Sequence, residues 1–217
     1  MLLETWLYFS AEARKCYNEL MKSFIVAISG ASGSIYGVRL IRELIRSADN
    51  VYLCISRQAF SIIKMETGAD WTGKTDAAIE KKIQKYYSSR KIKYFGENNL
   101  ASPVSSGSFI TDGMFVVPCS MKTLSGIAAG YANNLIERSA DVVIKEGRKL
   151  ILAPREMPFS AIHLENMLKL ARIGVTIAPP VPAFYQGPKT LDDAVNFVVG
   201  KLLDSAGVEH NLFKRWK

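Results

Sequence analysis

Histidine and cysteine are scarce in this chain of 217 residues, and their scarcity excludes several kinds of site. The two histidines, His163 and His210, are too few for a histidine-rich metal centre, so we expect no bound metal. The three cysteines contain no C-x-x-C spacing and are odd in number, which indicates reduced thiols in a cytoplasmic protein. No apolar run approaches the ~20 residues of a membrane span, and residues 1–20 lack the basic start of a signal peptide.

Acidic residues are also relatively few: the chain has 20 of them and 28 lysines and arginines, which gives a formal net charge of +8. Such a surplus suits either a nucleic acid or an anionic small molecule. The basic residues are scattered, however, and they form neither an arginine stripe nor an RNA-binding sheet signature. We therefore expect a phosphate-bearing small molecule as the ligand, and no nucleic acid.

Hydrophobic residues make up 48% of the chain and follow alternating strand and helix patterns. This alternation, without repeats or low-complexity tracts, predicts a single α/β domain with a doubly wound parallel sheet. Predicted strands span residues 23–28, 51–55, 114–117, 149–153 and 175–178. Predicted helices span residues 34–46, 57–66, 75–87, 124–129, 135–145, 160–173 and about 190–205. Ligands of such sheets bind beyond the carboxyl ends of the strands.

The first strand ends in a turn of small residues, Gly30-Ala31-Ser32-Gly33, which leads into a helix. Free amides and the positive end of the helix dipole make such a turn an anion site. Its glycine spacing is not that of the dinucleotide fingerprint, and the second strand ends in Ser56-Arg57 rather than in an acid for a ribose. These features favour FMN over NAD. A plain β–α turn with no ligand is the alternative.

Two further strand ends carry polar residues. The segment Ser120-Met121-Lys122-Thr123 could bind the isoalloxazine edge or a phosphate, or Ser120 could only cap the following helix. Arg155 could hold an anion, and Glu156 could transfer protons if partial burial raised its pKa toward neutrality. The alternative for these two residues is a simple ion pair. Cys119 is expected to be a half-buried thiol beside the ligand, not a nucleophile.

Two predicted helices carry polar residues that allow more than one interpretation. Arg138 and Lys145 lie seven residues apart on one helix, where they form either a phosphate clamp or a solvated face. His163 belongs to another helix and is expected to have a structural role. The apolar residues expected to face inward from that second helix are Leu164, Met167, Leu168 and Ala171.

Together, and in this order, several stretches resemble the UbiX/Pad-type flavin prenyltransferases from about Met21 to Trp216. These stretches are Gly30–Gly33, Ser105–Ser108, Pro118–Thr123, Asn134–Glu146, Pro154–Glu156, His163–Met167, Pro182–Tyr185 and Arg215-Trp216. Each is weak alone, but their combination is specific. The resemblance implies a flavodoxin-like or Rossmann-like three-layer sandwich and a homo-oligomer, usually a dodecamer.

The resemblance also implies an activity. In this family, reduced FMN is bound as a substrate and receives a dimethylallyl group at N5 and then at C6. The donor is dimethylallyl monophosphate or, in some members, the diphosphate, and no metal takes part. The product, prenylated FMN, serves UbiD-type decarboxylases.

Individual roles follow from the same resemblance. The expected FMN contacts are Gly30, Ala31, Ser32, Ser56, Ser120, Met121, Lys122, Thr123 and Arg155. The expected contacts to the prenyl phosphate, partly across a subunit boundary, are Arg138, Lys145, Arg155, Tyr185 and Lys201, with Trp216 covering the site. The expected catalytic residues are Ser32, Glu66, Lys145 and Glu156, of which Ser32, Glu66 and Glu156 act in proton transfer. Lys201 stands where some relatives have arginine, so it keeps the charge but lacks the planar fork.

On this interpretation the chain divides into an N-terminal extension (1–20), a prenyltransferase domain (21–207) and a C-terminal tail over the site (208–217). One rival is a flavoprotein decarboxylase of peptidyl-cysteine or pantothenoyl-cysteine. It is disfavoured because the first helix lacks a histidine and Pro118–Thr123 replaces the P-A-S-A-N-T stretch. The other rival is a noncatalytic FMN-binding subunit, in which the predicted phosphate clamp would be superfluous.

Overall fold

A six-stranded parallel sheet forms the centre of the computed structural model, which describes residues 22–215. In chain order the strands are β1 (Ser23–Ile28), β2 (Asn50–Ile55), β3 (Ile92–Tyr94), β4 (Gly113–Cys119), β5 (Lys149–Pro154) and β6 (Thr176–Ile177). Across the sheet their order is β3-β2-β1-β4-β5-β6. This is the order of a doubly wound Rossmann-like sheet, so the predicted fold class is confirmed.

Helices connect the strands and cover both faces of the sheet. They are α1 (Ser34–Ser47), α2 (Arg57–Thr67), α3 (Asp76–Tyr87), α4 (Met121–Ala129), α5 (Leu135–Lys145), α6 (Ala161–Arg172) and α7 (Leu191–Ala206). A short 3-10 turn, Pro103–Ser105, lies in the loop before β4. In residues 22–215, no helix combines the length and the apolar character needed to cross a bilayer.

The core consists of two layers, one on each face of the sheet. Along β1, Phe24, Val26 and Ile28 face one layer, while Ile25 and Ala27 face the other. The first layer contains buried side chains of α1, α2, α3 and α7, and the second contains those of α4, α5 and α6. Burial on both faces explains why the strands are continuous apolar runs without polar alternation.

The helix ends follow local capping chemistry. Thr190 and Asp193 form a reciprocal capping box at the start of α7. Ser160 and His163 do the same for α6, with the Ser160 amide donating to His163 Nδ1 at 3.2 Å. The structural role expected of His163 is therefore that of a cap. α4 begins at Met121, three residues earlier than predicted, because Ser120 caps it by accepting from the Thr123 amide.

Two local predictions were wrong. Strand β3 was missed, because it has only three residues and lies among lysines at the edge of the sheet. In α6, Met167 is buried as expected, but Leu164 and Leu168 are 53% and 51% exposed. Ala171 is also exposed. Within one chain, the sheet and α4 therefore bury only part of the apolar face of α6, and the rest of that face is exposed.

Candidate active site

A buried serine joins the carboxyl ends of the two central strands. Ser29, which directly follows β1, donates its hydroxyl hydrogen to the Pro118 carbonyl at 2.9 Å and accepts from the Ser120 amide at 2.7 Å. These bonds bring the loop after β1 next to the start of α4. The connections from β1 and β4 lead to opposite sides of the sheet, and this is the switch point at which such folds bind ligands. Ser29 was not identified from the sequence as a site residue. A polar residue directly after a fully apolar strand is, however, a pattern that could have indicated it.

The loop after β1 ends in Gly33, whose φ of 96° lies in the left-handed region that favours glycine. A carboxylate of the protein itself binds to the amides at the start of α1. Glu66, on α2, accepts from the Gly33 amide at 3.0 Å and from the Ser34 amide at 2.7 Å. The Ser34 hydroxyl also donates to Glu66 at 2.7 Å. The expectation that the amides of this helix start are free for a phosphate is therefore wrong for Gly33 and Ser34.

The electrostatics of Glu66 follow from these donors. Burial by itself would raise the pKa of Glu66, but hydrogen bonds from the Ser32 and Ser34 side chains and from the Gly33 and Ser34 amides outweigh it. The net result is a lowered pKa, so Glu66 is a carboxylate at neutral pH. Burial, with the nearby Glu66 charge, raises the pKa of Tyr36 in the same region.

Polar groups suited to a ligand remain around this loop. In the part of the chain that the structure describes, the amides of Gly30 and Ser32 donate to no protein acceptor. The Ser56 hydroxyl at the start of α2 is buried there without a hydrogen-bond partner. A Cβ atom on Gly30 would lie 3.9 Å from Ser56 Oγ, so the loop and Ser56 are neighbours. A buried unpaired hydroxyl next to free amides fits a bound ligand with acceptor oxygens.

Arg155 extends from the end of β5 to the same loop. Its backbone amide donates to the Cys119 carbonyl at 3.1 Å, and its side-chain Nε donates to the Ser32 carbonyl at 3.0 Å. Among residues 22–215 it forms no ion pair, so the alternative of an Arg155–Glu156 pair is wrong. The terminal guanidinium nitrogens are therefore available for an anion.

The two other residues next to this strand end differ from each other in burial. Glu156 is exposed in the single chain and accepts from the Met157 amide at 3.0 Å, so the partial burial on which its expected role rested is not present. Cys119 is fully buried rather than half-buried. Burial raises the pKa of the Cys119 thiol far above its usual range, which agrees with the expectation that it is not a nucleophile.

Arg138 and Lys145 lie on α5 against the loop that contains the 3-10 turn. Arg138 Nε donates to the Ser105 carbonyl at 3.1 Å and its Nη1 pairs with Asp141 at 3.1 Å. Lys145 Nζ pairs with Glu146 at 3.0 Å, and it lies 3.2 Å from where a Cβ on Gly107 would stand. Both cations are about half exposed, which leaves them accessible to a phosphate.

The other two predicted clamp residues belong to α7 and the segment before it. The Tyr185 ring packs edge-on against Phe197, with 5.9 Å between ring centroids. Lys201 Nζ lies 3.7 Å from Asp204, at the loose limit of an ion pair. Within residues 22–215, no hydrogen bond or ion pair connects Arg138 or Lys201 with Arg155. Trp216 lies outside the described residues, as does the predicted extension 1–20.

The described part of the chain holds no group of three or more histidine, cysteine, aspartate or glutamate side chains placed to bind a metal ion. The cations around the strand ends are lysines and arginines instead.

Comparison with known proteins places this chain in a family. The family model described as Flavoprotein matches residues 12–203. The flavin prenyltransferase UbiX of Alkalihalophilus pseudofirmus is 47% identical over 201 residues, which cover 92% of this chain and 98% of that protein. The chain belongs to the UbiX family of flavin prenyltransferases. The resemblance derived from the sequence motifs is confirmed, whereas the domain boundary at residue 20 stays a prediction.

Solved structures of UbiX-family proteins have the same fold. The dodecameric FMN-dependent UbiX-like decarboxylase of Escherichia coli O157:H7 is 45% identical and superposes with a TM-score of 0.78, covering 90% of this chain and 99% of that one. AnUbiX (PadA1), in complex with FMN and dimethylallyl pyrophosphate, is 39% identical with a TM-score of 0.79, covering 91% and 98%. The three-layer fold of the UbiX family thus extends over nearly the whole described chain.

Proposed function

We propose that this protein transfers a dimethylallyl group from dimethylallyl monophosphate to N5 and C6 of reduced FMN, forming prenylated FMN for a UbiD-type decarboxylase. The observation that carries the proposal is the similarity, over nearly the whole chain, to flavin prenyltransferases and to a structure that holds both FMN and a dimethylallyl donor. The unpaired polar groups at the strand ends support it, because they match the needs of a phosphorylated flavin.

The residues around the strand ends fit FMN. The free amides of Gly30 and Ser32, the unpaired buried hydroxyl of Ser56 and the guanidinium of Arg155 provide donors from three separate segments. The remaining predicted contacts, Ala31 and Ser120 to Thr123, lie beside them through the Ser29 bridge. Reduced FMN, when bound, supplies the nucleophilic ring positions. The protein supplies orientation and, through its buried strand ends, exclusion of water.

Arg138, Lys145, Tyr185 and Lys201 serve the donor phosphate. When the allylic C–O bond breaks, negative charge grows on the leaving phosphate, and preformed cations and a hydroxyl stabilise it without a metal. The side chains of Arg138 and Lys145 are about half exposed in one chain. This exposure supports a role in which they complete the donor site of a neighbouring subunit. Lys201, with a point charge and three rotatable donors, binds either a mono- or a diphosphate less directionally than arginine does.

Proton transfer in the proposed reaction falls to a carboxylate, and the hydrogen bonds of Glu66 and Glu156 support different roles for the two candidates. Glu66 is held ionised by four donor groups, so accepting a proton would cost these hydrogen bonds. Glu156 accepts only from the Met157 amide among the described residues. We assign the removal of the proton from C6 to Glu156, and to Glu66 the holding of the loop with Ser32 at the flavin site.

The assembly proposed is a homododecamer in the cytoplasm. A UbiX-like relative from Escherichia coli O157:H7 forms a dodecamer. In this chain the exposed leucines of α6, together with the highly exposed Met157 and Phe184, supply apolar surface of the kind that subunit contacts cover. A homo-oligomer also explains how α5 of one copy could reach the strand ends of another.

The test is an anaerobic incubation of the protein with reduced FMN and dimethylallyl monophosphate, followed by mass spectrometry of the flavin. A parallel arm uses the diphosphate. We expect a flavin heavier by one C5H8 unit with at least one donor. A flavin of unchanged mass in both arms would reject the proposed transferase and favour the noncatalytic FMN-binding subunit.

A further inference from the structure

The C-terminal segment, residues 208–215, folds back onto α7 at a glycine. A Cβ atom on Gly200 would lie 2.5 Å from Phe213 Cε1 and 2.7 Å from His210 Cε1, closer than side chains tolerate. Glycine inside a helix is less stable than alanine, so its presence here needs a reason. The close packing of Phe213 and His210 provides that reason.

A polar anchor lies one turn further along α7. Asp204 accepts from Arg215 Nη2 at 2.8 Å and from His210 Nε2 at 3.2 Å. The His210 side chain is only 1% exposed, and its Nδ1 accepts from the Leu212 amide. Since Nδ1 is an acceptor, Nε2 carries the ring proton that is donated to Asp204. The docked segment is thus held by a directional network and by apolar packing.

The docked segment shares contact residues with both α7-side members of the proposed phosphate clamp: Phe197 with Tyr185, and Asp204 with Lys201. Phe213 packs on Phe197 with 5.1 Å between the ring centroids, and Phe197 also packs edge-to-face with Tyr185 at 5.9 Å. Asp204, the anchor, is also the carboxylate that pairs with Lys201. The Gln186 side chain, next to Tyr185, donates to the Lys214 carbonyl at 3.1 Å.

We propose that docking of residues 208–215 on Gly200 and Asp204 positions Tyr185 and Lys201 for the phosphate of the prenyl donor. This inference rests on the proposed function and extends it to residues that do not touch the substrate. The Asp204 carboxylate has three partners, Lys201, His210 and Arg215. Its ion pair with Lys201 is weak, because the Lys201 Nζ lies 3.7 Å from the carboxylate oxygen. A donor phosphate can therefore draw Lys201 away while Arg215 and His210 keep the segment docked.

The test uses the full chain loaded with oxidised FMN, so that the donor binds without reacting. Titration calorimetry gives the Kd of dimethylallyl monophosphate, and hydrogen exchange reports docking of residues 208–215. For Gly200→Ala we expect faster exchange in this segment and a Kd for the donor weakened about tenfold, as for a moderate coupling between sites. The Kd for FMN is expected to stay unchanged, because among residues 22–215 no hydrogen bond or ion pair joins the segment to the loop after β1.

Glu209→Gln is the matched control. Glu209 lies in the same segment and borders the same groove as His210 and Arg215, but it makes no hydrogen bond or ion pair among residues 22–215. In Glu209→Gln, the hydrogen exchange of residues 208–215 and the Kd for dimethylallyl monophosphate should match those of the unmodified protein. Phe213→Leu, which weakens the packing without adding a clash, provides a second route if Gly200→Ala does not fold.

Two results would overturn the inference. Faster exchange with unchanged donor affinity would show that docking does not position the clamp, and unchanged exchange in both variants would show that Gly200 and Phe213 are not the docking contact. A failure of the proposed function looks different, since the unmodified protein would then bind no donor and leave the flavin mass unchanged.

Discussion

Glu66 shows how a single residue can reverse a sequence-based expectation. The small-residue turn after β1 predicts an anion site, and an anion is bound there, but it is the protein's own carboxylate. The neighbouring Ser34 is fully buried and directs its hydroxyl to the same oxygen. Because the partner lies more than thirty positions away in the chain, no local pattern could indicate it. The donors that remain available for the proposed ligand are the Gly30 and Ser32 amides, Ser56 and Arg155.

Replacing Glu66 with Gln tests this assignment. The lowered pKa means that Glu66 stabilises the folded state above its unfolded pKa of about 4.3, and that this contribution is lost as the pH falls through the lower folded value. At pH 7 we expect Glu66→Gln to lower the free energy of unfolding by about 1 kcal/mol, the scale of one hydrogen bond to a charged group at a partly exposed position. Urea unfolding at pH 7 and at acid pH measures the difference.

The difference between Glu66→Gln and the unmodified protein should shrink toward zero as the pH falls below 4. Asp49→Asn is the control for a carboxylate that is bonded only to the exposed Lys22 amide in the described chain. A difference that persists unchanged in acid would mean that the charge of Glu66 is not what holds the loop.

At the scale of elements, the fold and most of the strand-end residues could be predicted from the sequence. The long apolar strands and amphipathic helices carry strong periodic signals, and α5 has the predicted boundaries, Leu135–Lys145. Three-residue β3 carries almost no signal, and the exposed leucines of α6 could not be told from core leucines. Contacts made through long-range hydrogen bonds, such as that of Ser29 with Pro118, require the sheet order to be known first.

The approach of α1 to β4 depends on Gly37. A Cβ atom at this position would collide with the Val117 carbonyl and with the Ile28 side chain. Because a backbone carbonyl in a central strand cannot move aside, we expect Gly37→Ala to lower the free energy of unfolding by about 2 kcal/mol, as overpacked cores do. It should also weaken FMN binding, since α1 begins at the loop that carries Gly30 and Ser32.

Arg46→Ala is the control on the same helix. Among residues 22–215 Arg46 pairs only with Glu43, at an exposed position, so its loss should change the unfolding free energy by about 0.5 kcal/mol or less. Chemical unfolding and FMN titration of both variants give the comparison. Equal stability of Gly37→Ala and the unmodified protein would show that the close approach of α1 to β4 is not required.

At the scale of the whole molecule, the residues of the proposed site belong to three separate parts of the single chain. Arg138 bonds to the loop before β4 and Lys145 lies close to Gly107 of that loop. Tyr185 and Lys201 belong to the α7 side, and Arg155 lies at the strand ends. An assembly of several copies could unite them. The exposed apolar stripe of α6 is the surface on which such an assembly would depend most strongly.

Leu168→Glu tests the assembly. A charge buried in an apolar subunit contact is costly, so we expect this variant to form smaller species than the unmodified protein in native mass spectrometry and light scattering. Lys169→Glu, at the next and already exposed polar position, is the control and should leave the assembly intact. An assembly of unchanged size in Leu168→Glu would place the subunit contact elsewhere.

The crystal structure of the assembled protein with FMN and a dimethylallyl donor tests the central claim most directly. We predict the flavin at the strand ends, beside Ser56 and Arg155, and the donor phosphate between the α5 cations and the pair formed by Tyr185 and Lys201. A flavin bound elsewhere, or one at the strand ends with Tyr185 and Lys201 remote from it, would contradict the account.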